Sequence, residues 1–350
     1  HTHYLRSCPA CGGRSTGADA EVVTRMHPGN EALGAVVVQK VLESLPAIED
    51  NREPRPMSGR GLLTFSDNRQ NAAFFAPYFE RTAGDMALRT GVTQALQAAD
   101  EPMDLEYLAD RVYRFWRHQG EPVMLDEVGR LKTGRQSVYE LLLGKIAAEF
   151  FTPGGRRNSL EALGLVRVRL EDAPMQRIQS RLADTVPDGF PNEELGGLIY
   201  FLIDTLVREK AIGKLADVDM RSQYIWGQYY ANHRSFSLHP SDDTTHAWIP
   251  AEGAKRHNRR TWLLVEQLGW SWEDARKFLA AIWEVMEQTR LRVRLNPGFG
   301  IDINKLRFES AVDYPLFICR NCGLRQVNVV TGRCTAFRCK GEVEEITQTE

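Results

Sequence analysis

The sequence predicts a mixed α/β protein that is mainly helical and ends in a small cysteine-rich ribbon. Three observations predict this fold class. A short apolar run is followed by a polar turn and a helical pattern at residues 61–76. Amphipathic helical patterns then dominate residues 86–288, and four closely spaced cysteines follow between Cys319 and Cys339. With 350 residues, the chain is long enough for two or three domains.

Composition narrows the function classes. Hydrophobic residues make up 43% of the chain and charged residues 26%, which is ordinary for a globular protein. No apolar run approaches the roughly 20 residues of a membrane span, so we expect no membrane partner. A net charge of −2 excludes a broadly basic surface, so any nucleic-acid contact must be local. Because the chain begins with His1 rather than Met, we expect it to be part of a longer one.

The six cysteines are grouped as a pair and a foursome, which indicates metal binding in a reducing compartment, the cytoplasm, rather than disulfides. Cys8 and Cys11, followed by Gly12, form a zinc knuckle but supply only half of a tetrahedral site. Its other ligands would come from upstream sequence or from His1 and His3. The alternative is a pair of free thiols or a redox Cys-x-x-Cys. Residues 1–57 are thus predicted to hold this knuckle, a helix over Ala32–Leu45 and a linker.

Residues 58–100 open with a strand, a turn and a helix. Leu62 to Phe65 is predicted to be a buried strand, and Ser66 and Asp67 are good helix N-caps. Arg69 and Gln70 then lie in the first helical turn at the carboxyl end of the strand, where open α/β sheets bind ligands. The alternative is an ordinary strand–helix unit without that function.

Residues 101–310 are predicted to form a long, mainly helical segment. Apolar residues recur three and four positions apart in Met86–Ala98, which precedes this segment. Within the segment they do so in Asp104–Arg117, Ser137–Phe151, Glu193–Lys210, Thr261–Leu268 and Trp272–Gln288. Residues 158–170 instead predict a helical turn, a stop at Gly164 and a strand. In that strand Arg167 and Arg169 alternate with apolar residues, which also suits a solvent-facing edge strand.

Two parts of this segment carry positive charge that could contact phosphates. Residues 291–304 predict a β-hairpin with Arg292 and Arg294 on its first strand. Two helices followed by a hairpin is the order of a winged helix, although the hairpin could equally cap the helical core. The polar loop Asp242–Arg260 ends in the densest positive cluster of the chain, formed by Lys255, Arg256, Arg259 and Arg260. Its alternative is an ordinary solvated loop.

Residues 311–350 predict a zinc ribbon. The intervals between Cys319, Cys322, Cys334 and Cys339 are two, eleven and four residues, which fit two knuckles joined by a β-hairpin. Phe317 and Ile318 are predicted to lead in as a strand, and the hairpin strand is predicted at Val327, Val329 and Val330. Four thiolates leave no open position, so the site would be structural. The alternative is an iron–sulfur cluster.

The run Ser66-Asp67-Asn68-Arg69-Gln70-Asn71-Ala72-Ala73 closely resembles the opening of the second RecA-like domain in large superfamily-2 (DEAD/DEAH-box) helicases. Residues 158–170 resemble the same family, in particular the bacterial helicases with cysteine zinc modules found in phage-defence and DNA-repair systems. The resemblance implies that residues 58–100 begin that domain and that residues 101–310 are an insertion with a winged-helix-like end. It also implies that Arg69 and Gln70 contact nucleic acid.

The resemblance implies DNA, the remaining helicase domains and defence or repair proteins as partners. The sequence contains no Gly-x-x-x-x-Gly-Lys-[Ser/Thr] phosphate loop, so ATP and Mg²⁺ would bind only through other parts of a longer chain. We therefore expect a segment of an ATP-dependent DNA helicase or translocase that guides the strand without hydrolysing ATP itself. The alternative is a non-enzymatic zinc-ribbon and winged-helix module that binds a protein.

Overall fold

The computed structural model describes most of the chain from residue 86 onward. The described residues are 86–118, 124–125, 130–151, 159–213, 234–239, 245–251, 254 and 256–346, together with residue 60 and parts of 37–46. Outside them lie the strand–turn–helix at residues 61–76 and five residues for which we predicted a role, namely Cys8, Cys11, Arg69, Gln70 and Lys255.

Helices form most of the regular structure in the described ranges. They are α1 (residues 86–97), α2 (Leu105–Arg117), α3 (Arg135–Phe151), α4 (Asp172–Leu182), α5 (Leu195–Arg208), α6 (Arg259–Thr261, continued by a π-helix over Trp262–Gln267) and α7 (Trp272–Gln288). None of the helices in these ranges combines the length and the apolarity that a membrane span needs.

Short strands pair in four small sheets. The strands are β1 (Met124–Leu125), β2 (Leu131–Lys132), β3 (Val166–Leu170), β4 (Phe236–Ser237), β5 (His246–Ala247), β6 (Arg292–Arg294), β7 (Phe299–Ile301), β8 (Leu306–Ser310), β9 (Leu316–Cys319), β10 (Arg325–Gln326) and β11 (Val343–Ile346). The sheets have the orders β1-β2, β3-β8, β5-β4-β7-β6 and β10-β9-β11.

Helices α2, α6 and α7 begin at residues whose side chains act as N-caps. The Asp104 carboxylate accepts a 2.7 Å hydrogen bond from the backbone N–H of Tyr107 at the start of α2. The Ser271 hydroxyl accepts a 3.0 Å bond from the N–H of Asp274 at the start of α7. Asn258 and Thr261 form a reciprocal capping box that starts α6 at Arg259.

Buried faces of these helices meet in one core, and the cysteine ribbon has a separate small one. The main apolar cluster extends from Leu88 to Val330, whereas the ribbon cluster consists of Cys319, Cys334 and Cys339 with a few partly buried neighbours. The β6–β7 hairpin belongs to the main body because β7 also pairs with β4. The structure therefore holds a helical body and a ribbon with little apolar core of its own.

The helices predicted around residues 86–98, 104–117, 137–151, 193–210 and 272–288 are confirmed, as are the strand at residues 166–170 and the β6–β7 hairpin. The predicted strand of the ribbon hairpin at Val327, Val329 and Val330 was wrong. The strand is Arg325–Gln326, and Val330 instead packs into the main core. The prediction that Asp242–Arg260 is a polar loop also needs correction. That segment contains β5, and Trp248 and Ile249 directly after β5 are buried.

Candidate metal centre and nucleic-acid interface

The structure brings the four predicted ribbon cysteines together. Cys319 ends β9, and its Sγ and the sulfur atoms of Cys322, Cys334 and Cys339 all lie within 4.8 Å of one another. The distance from Cys319 Sγ to Cys339 Sγ is 3.5 Å and that from Cys322 Sγ to Cys334 Sγ is 3.6 Å. Tetrahedral zinc with Zn–S bonds of about 2.3 Å requires sulfur separations of about 3.8 Å. The arrangement therefore fits a four-coordinate metal ion.

Backbone groups around the sulfur atoms also suit thiolates. The N–H of Asn321 donates to Cys319 Sγ at 3.3 Å, and the N–H of Ala336 donates to Cys334 Sγ at 3.4 Å. A Cβ at Gly341 would lie 2.6 Å from Cys319 Sγ, so this position requires glycine. The hydrogen bond between the sulfur atoms of Cys322 and Cys334 lowers the pKa of Cys322 to about 5, which favours the ionised form at neutral pH. The donor set is thus ready to bind a thiophilic cation such as zinc.

The ribbon is fastened to helix α6 through the residues that carry the cysteines. The side-chain amide of Gln267 donates to the backbone carbonyl of Cys334 at 3.2 Å and to that of Cys339. Beside it, Lys340 Nζ lies 2.9 Å from a carboxylate oxygen of Glu266. One amide therefore links α6 to both ends of the second knuckle.

We predict that Gln267→Glu will weaken this attachment. A carboxylate cannot donate to the two carbonyls, and its charge would face both oxygens. We expect the free energy of unfolding to fall by about 1–3 kcal/mol and a chelator to remove the metal faster than from the unaltered chain. Thermal melting and chromogenic chelator kinetics measure the two effects.

A matched control is Gln288→Glu at the end of α7, where the amide makes an exposed bond to Glu284. This variant should change the free energy of unfolding by less than about 0.5 kcal/mol. Equal behaviour of the two variants would show that Gln267 does not hold the ribbon.

The predicted basic cluster does not lie on one surface. Arg256 is exposed, and Arg259 is half-buried with no hydrogen-bond partner for its Nε. Arg260, in contrast, is only 1% exposed. Helix α6 explains the difference, because Arg260, Leu263 and Leu264 share its inner face.

The guanidinium of Arg260 is fully occupied by the protein. It donates to the backbone carbonyls of Trp248 and Ala247, both at 3.2 Å, and to the hydroxyl of Thr205 at 2.7 Å. It also lies over the rings of Trp248 and Phe236, at 4.4 and 5.0 Å from their centroids. Burial lowers the pKa of Arg260 to about 10. We therefore correct its assignment from a surface contact to a core residue.

The two hairpin arginines also differ. The side chain of Arg292 is 6% exposed and lies between the rings of Trp283 and Phe299, 4.6 and 4.5 Å from their centroids. It also forms an ion pair with Glu287. Arg294 is exposed at the end of β6. Of this pair, Arg294 alone presents its charge to solvent.

The arginines of β3 are engaged within the protein. Glu309 of β8 lies 3.3 Å from Arg167 Nη1 and 3.1 Å from Arg169 Nε. Arg167 Nε also donates to Asn328 at 3.2 Å, which ties this strand to the segment after β10. This sheet therefore stabilises the fold and offers no free cation on β3.

Sequence reasoning missed the aromatic contact between ribbon and body. The rings of Trp262 and Phe337 meet edge to face at 6.0 Å, and the Arg338 guanidinium lies 5.0 Å from the Phe337 centroid. Phe337 and Arg338 stand between two metal-ligand candidates, which was visible in the sequence as an apolar residue in a tight knuckle. Nothing in the sequence indicated that Trp262 on α6 would be the partner of Phe337.

A comparison with protein-family models, curated proteins and solved structures finds no match to this chain.

Proposed function

We propose that the chain binds a structural Zn²⁺ at Cys319, Cys322, Cys334 and Cys339 and serves as a nucleic-acid-contacting segment of an ATP-dependent helicase or translocase. The observation that carries this proposal is the four-sulfur cluster, which holds together a ribbon that contacts α6, the helix that begins at the half-buried Arg259. Four sulfur ligands leave a metal no open position, so the centre organises structure and performs no chemistry.

The helicase part of the proposal is supported by sequence resemblance. Under it, Arg69 and Gln70 contact the strand and residues 58–100 begin a RecA-like domain. Helices α6 and α7 with the β6–β7 hairpin form the winged-helix-like end, and Arg294 is its exposed cation. ATP and Mg²⁺ bind elsewhere in the longer protein, which works in the cytoplasm with other defence or repair proteins.

The burial of Arg260 and Arg292 favours a second candidate, a module that binds a protein partner. It removes two cations from the surface on which we predicted DNA binding, and the chain has a net charge of −2. The two candidates differ in salt dependence, because only phosphate neutralisation releases counterions in proportion to the number of contacts.

We predict that the chain binds single-stranded DNA with micromolar or weaker affinity at physiological salt. Each phosphate contact contributes about −0.7 to the log–log slope of affinity against salt on a single strand. Replacing Lys255, Arg256 and Arg259 with alanine should therefore flatten the slope by roughly 2 units. Fluorescence anisotropy with a labelled strand at several salt concentrations measures it.

The control removes arginine charge at a distant surface. Arg177 and Arg181 are exposed on α4, and Arg177→Ala with Arg181→Ala should leave the slope unchanged. An unchanged slope in the cluster variant, or no binding by the unaltered chain, would reject the nucleic-acid function and leave the protein-binding module.

A further inference from the structure

We propose that Phe337 is a stacking platform for an unpaired base and that Arg338, Arg256 and Arg259 hold the neighbouring phosphates of a single strand. This inference rests on the proposed nucleic-acid function and names the form of nucleic acid and the ring that receives it. The ribbon–helix surface is defined here by Arg256, Arg259, Trp262, Phe337 and Arg338.

The ring of Phe337 stays partly exposed to solvent although the side chain is apolar. It is 39% exposed, and among the described residues it is the one phenylalanine in the class of exposed large hydrophobic side chains. Its backbone lies between Cys334 and Cys339, which are held at the sulfur cluster and by the bonds from Gln267. The ring therefore has a fixed position before any ligand arrives, and this lowers the entropic cost of stacking.

The neighbouring groups of the ring suit a base. The Trp262 ring supports Phe337 from the body at 6.0 Å, with an angle of 81° between the ring planes. The planar guanidinium of Arg338 lies 5.0 Å from the ring centroid and is exposed. Bases stack on aromatic rings and on arginine planes in single-strand recognition, so both groups offer such a surface.

The charge of this surface is positive. Arg338 and Arg256 form no ion pair within the described part of the chain, and Arg259 lies three residues before Trp262 on the same face of α6. On the same helix, the carboxylate of Glu266 is shared by Lys340 of the ribbon at 2.9 Å and by His257, the neighbour of Arg256, at 3.5 Å. Three arginines thus remain for phosphates.

The stacking platform selects for unpaired strands. In a duplex, the faces of the bases are covered by their neighbours, so Phe337 has no ring face to meet. The phosphates of a duplex remain accessible to the arginines. We therefore infer that the ribbon–helix surface binds a single strand in preference to a duplex.

The test is Phe337→Leu, which keeps an apolar side chain against Trp262 but removes the aromatic face. Affinity for a labelled oligo-dT should fall by at least about fivefold, the lower end of the effect of losing one stacked base. The salt slope should not change, since no charge is lost, and affinity for a duplex should stay the same. Phe337→Trp should bind oligo-dT at least as tightly as the unaltered chain.

Tyr107→Leu is the matched control, because this ring on α2 is 50% exposed and lies outside the ribbon–helix surface. It should leave oligo-dT affinity unchanged. Zinc content is measured for every variant. If the leucine variant loses metal, the tryptophan variant decides, and weaker binding by it overturns the proposal.

The two proposals fail in different ways. Unchanged oligo-dT affinity in Phe337→Leu, with a slope that still depends on Arg256 and Arg259, would overturn the stacking platform alone. A chain that binds neither strand nor duplex would overturn the nucleic-acid function itself, and the exposed ring would then mark a protein-binding surface.

Discussion

Replacing Cys322 with serine is expected to release the metal from the ribbon and to unfold residues 316–346. The ribbon cannot hold itself together by burial, because its apolar cluster consists of three cysteines with Leu324, Ala336 and Val343 beside them. Its strands are two to four residues long. Metal binding in comparable sites contributes about 10–16 kcal/mol at neutral pH, so it exceeds every other single term that we expect here.

The helical body should survive this change. Its apolar cluster is separate from that of the ribbon, and of its buried residues in the described chain Val330 alone comes from residues 316–346. We therefore expect the Cys322→Ser chain to keep most of its helical circular dichroism while the ribbon becomes accessible to proteases. Loss of helicity over the whole chain would contradict the division into a body and a metal-dependent ribbon.

Elemental analysis of the unaltered chain should show about one Zn²⁺ at the foursome, and a second if Cys8 and Cys11 have partners. Cys8→Ser with Cys11→Ser is the matched control and should leave the foursome loaded. Iron in place of zinc, or a folded ribbon without any metal, would reject the zinc assignment.

Features that depend on residues close together in the chain could be predicted from the sequence. Helix α7 could be predicted at Trp272–Gln288 because its cap, Ser271, its acidic first turn and its apolar spacing all agree. The ligand cysteines could be predicted because a tetrahedral metal site requires short intervals within each knuckle. Helix α4 was not among the predicted helices, and it carries Pro174 in its first turn. A proline in the first helical turn is compatible with a helix, since the N–H it lacks would have no intrahelical partner.

Pairings between distant segments could not be predicted in the same way. Strand β8 pairs with β3 in antiparallel register, with Val168 opposite Phe308, and no local pattern specifies a partner so far along the chain. Val330 looked like a ribbon strand because it is β-branched, yet it packs into the main core. Tertiary burial overrides local propensity at both places.

The burial of individual arginines in the basic cluster also could not be predicted in full from the sequence. Arg256 and Arg260 are the same residue type, but Arg256 is exposed and Arg260 is buried. A signal was present, because Arg260 precedes Leu263 and Leu264 by three and four positions and so shares their face. What receives the charge could not be read from the sequence, since Trp248 and Thr205 approach from other elements.

Arg260→Ala is expected to be the most destabilising change in the helical body. It would empty a buried volume between α5, α6 and the segment after β5. It would also remove the Arg260 donor from the carbonyl of Ala247 and leave the carbonyl of Trp248 with the Asn258 amide as its side-chain donor. The cavity and the lost buried hydrogen bonds together should lower the free energy of unfolding by about 3–5 kcal/mol. Urea unfolding followed by circular dichroism measures the loss.

Two further variants separate this structural role from a role in DNA binding. Arg256→Ala removes an exposed guanidinium and should change the free energy of unfolding by no more than about 0.5 kcal/mol, but it should reduce the salt slope. Arg260→Lys keeps the charge but loses the forked donor geometry, so its free energy of unfolding should lie between those of Arg256→Ala and Arg260→Ala. The folded lysine variant should keep the salt slope of the unaltered chain, because a cation enclosed by Trp248 and Phe236 cannot reach a phosphate. If Arg260→Ala unfolds with the free energy of the unaltered chain and also has a flatter salt slope, the buried structural role of Arg260 is rejected and Arg260 is a surface contact for phosphates.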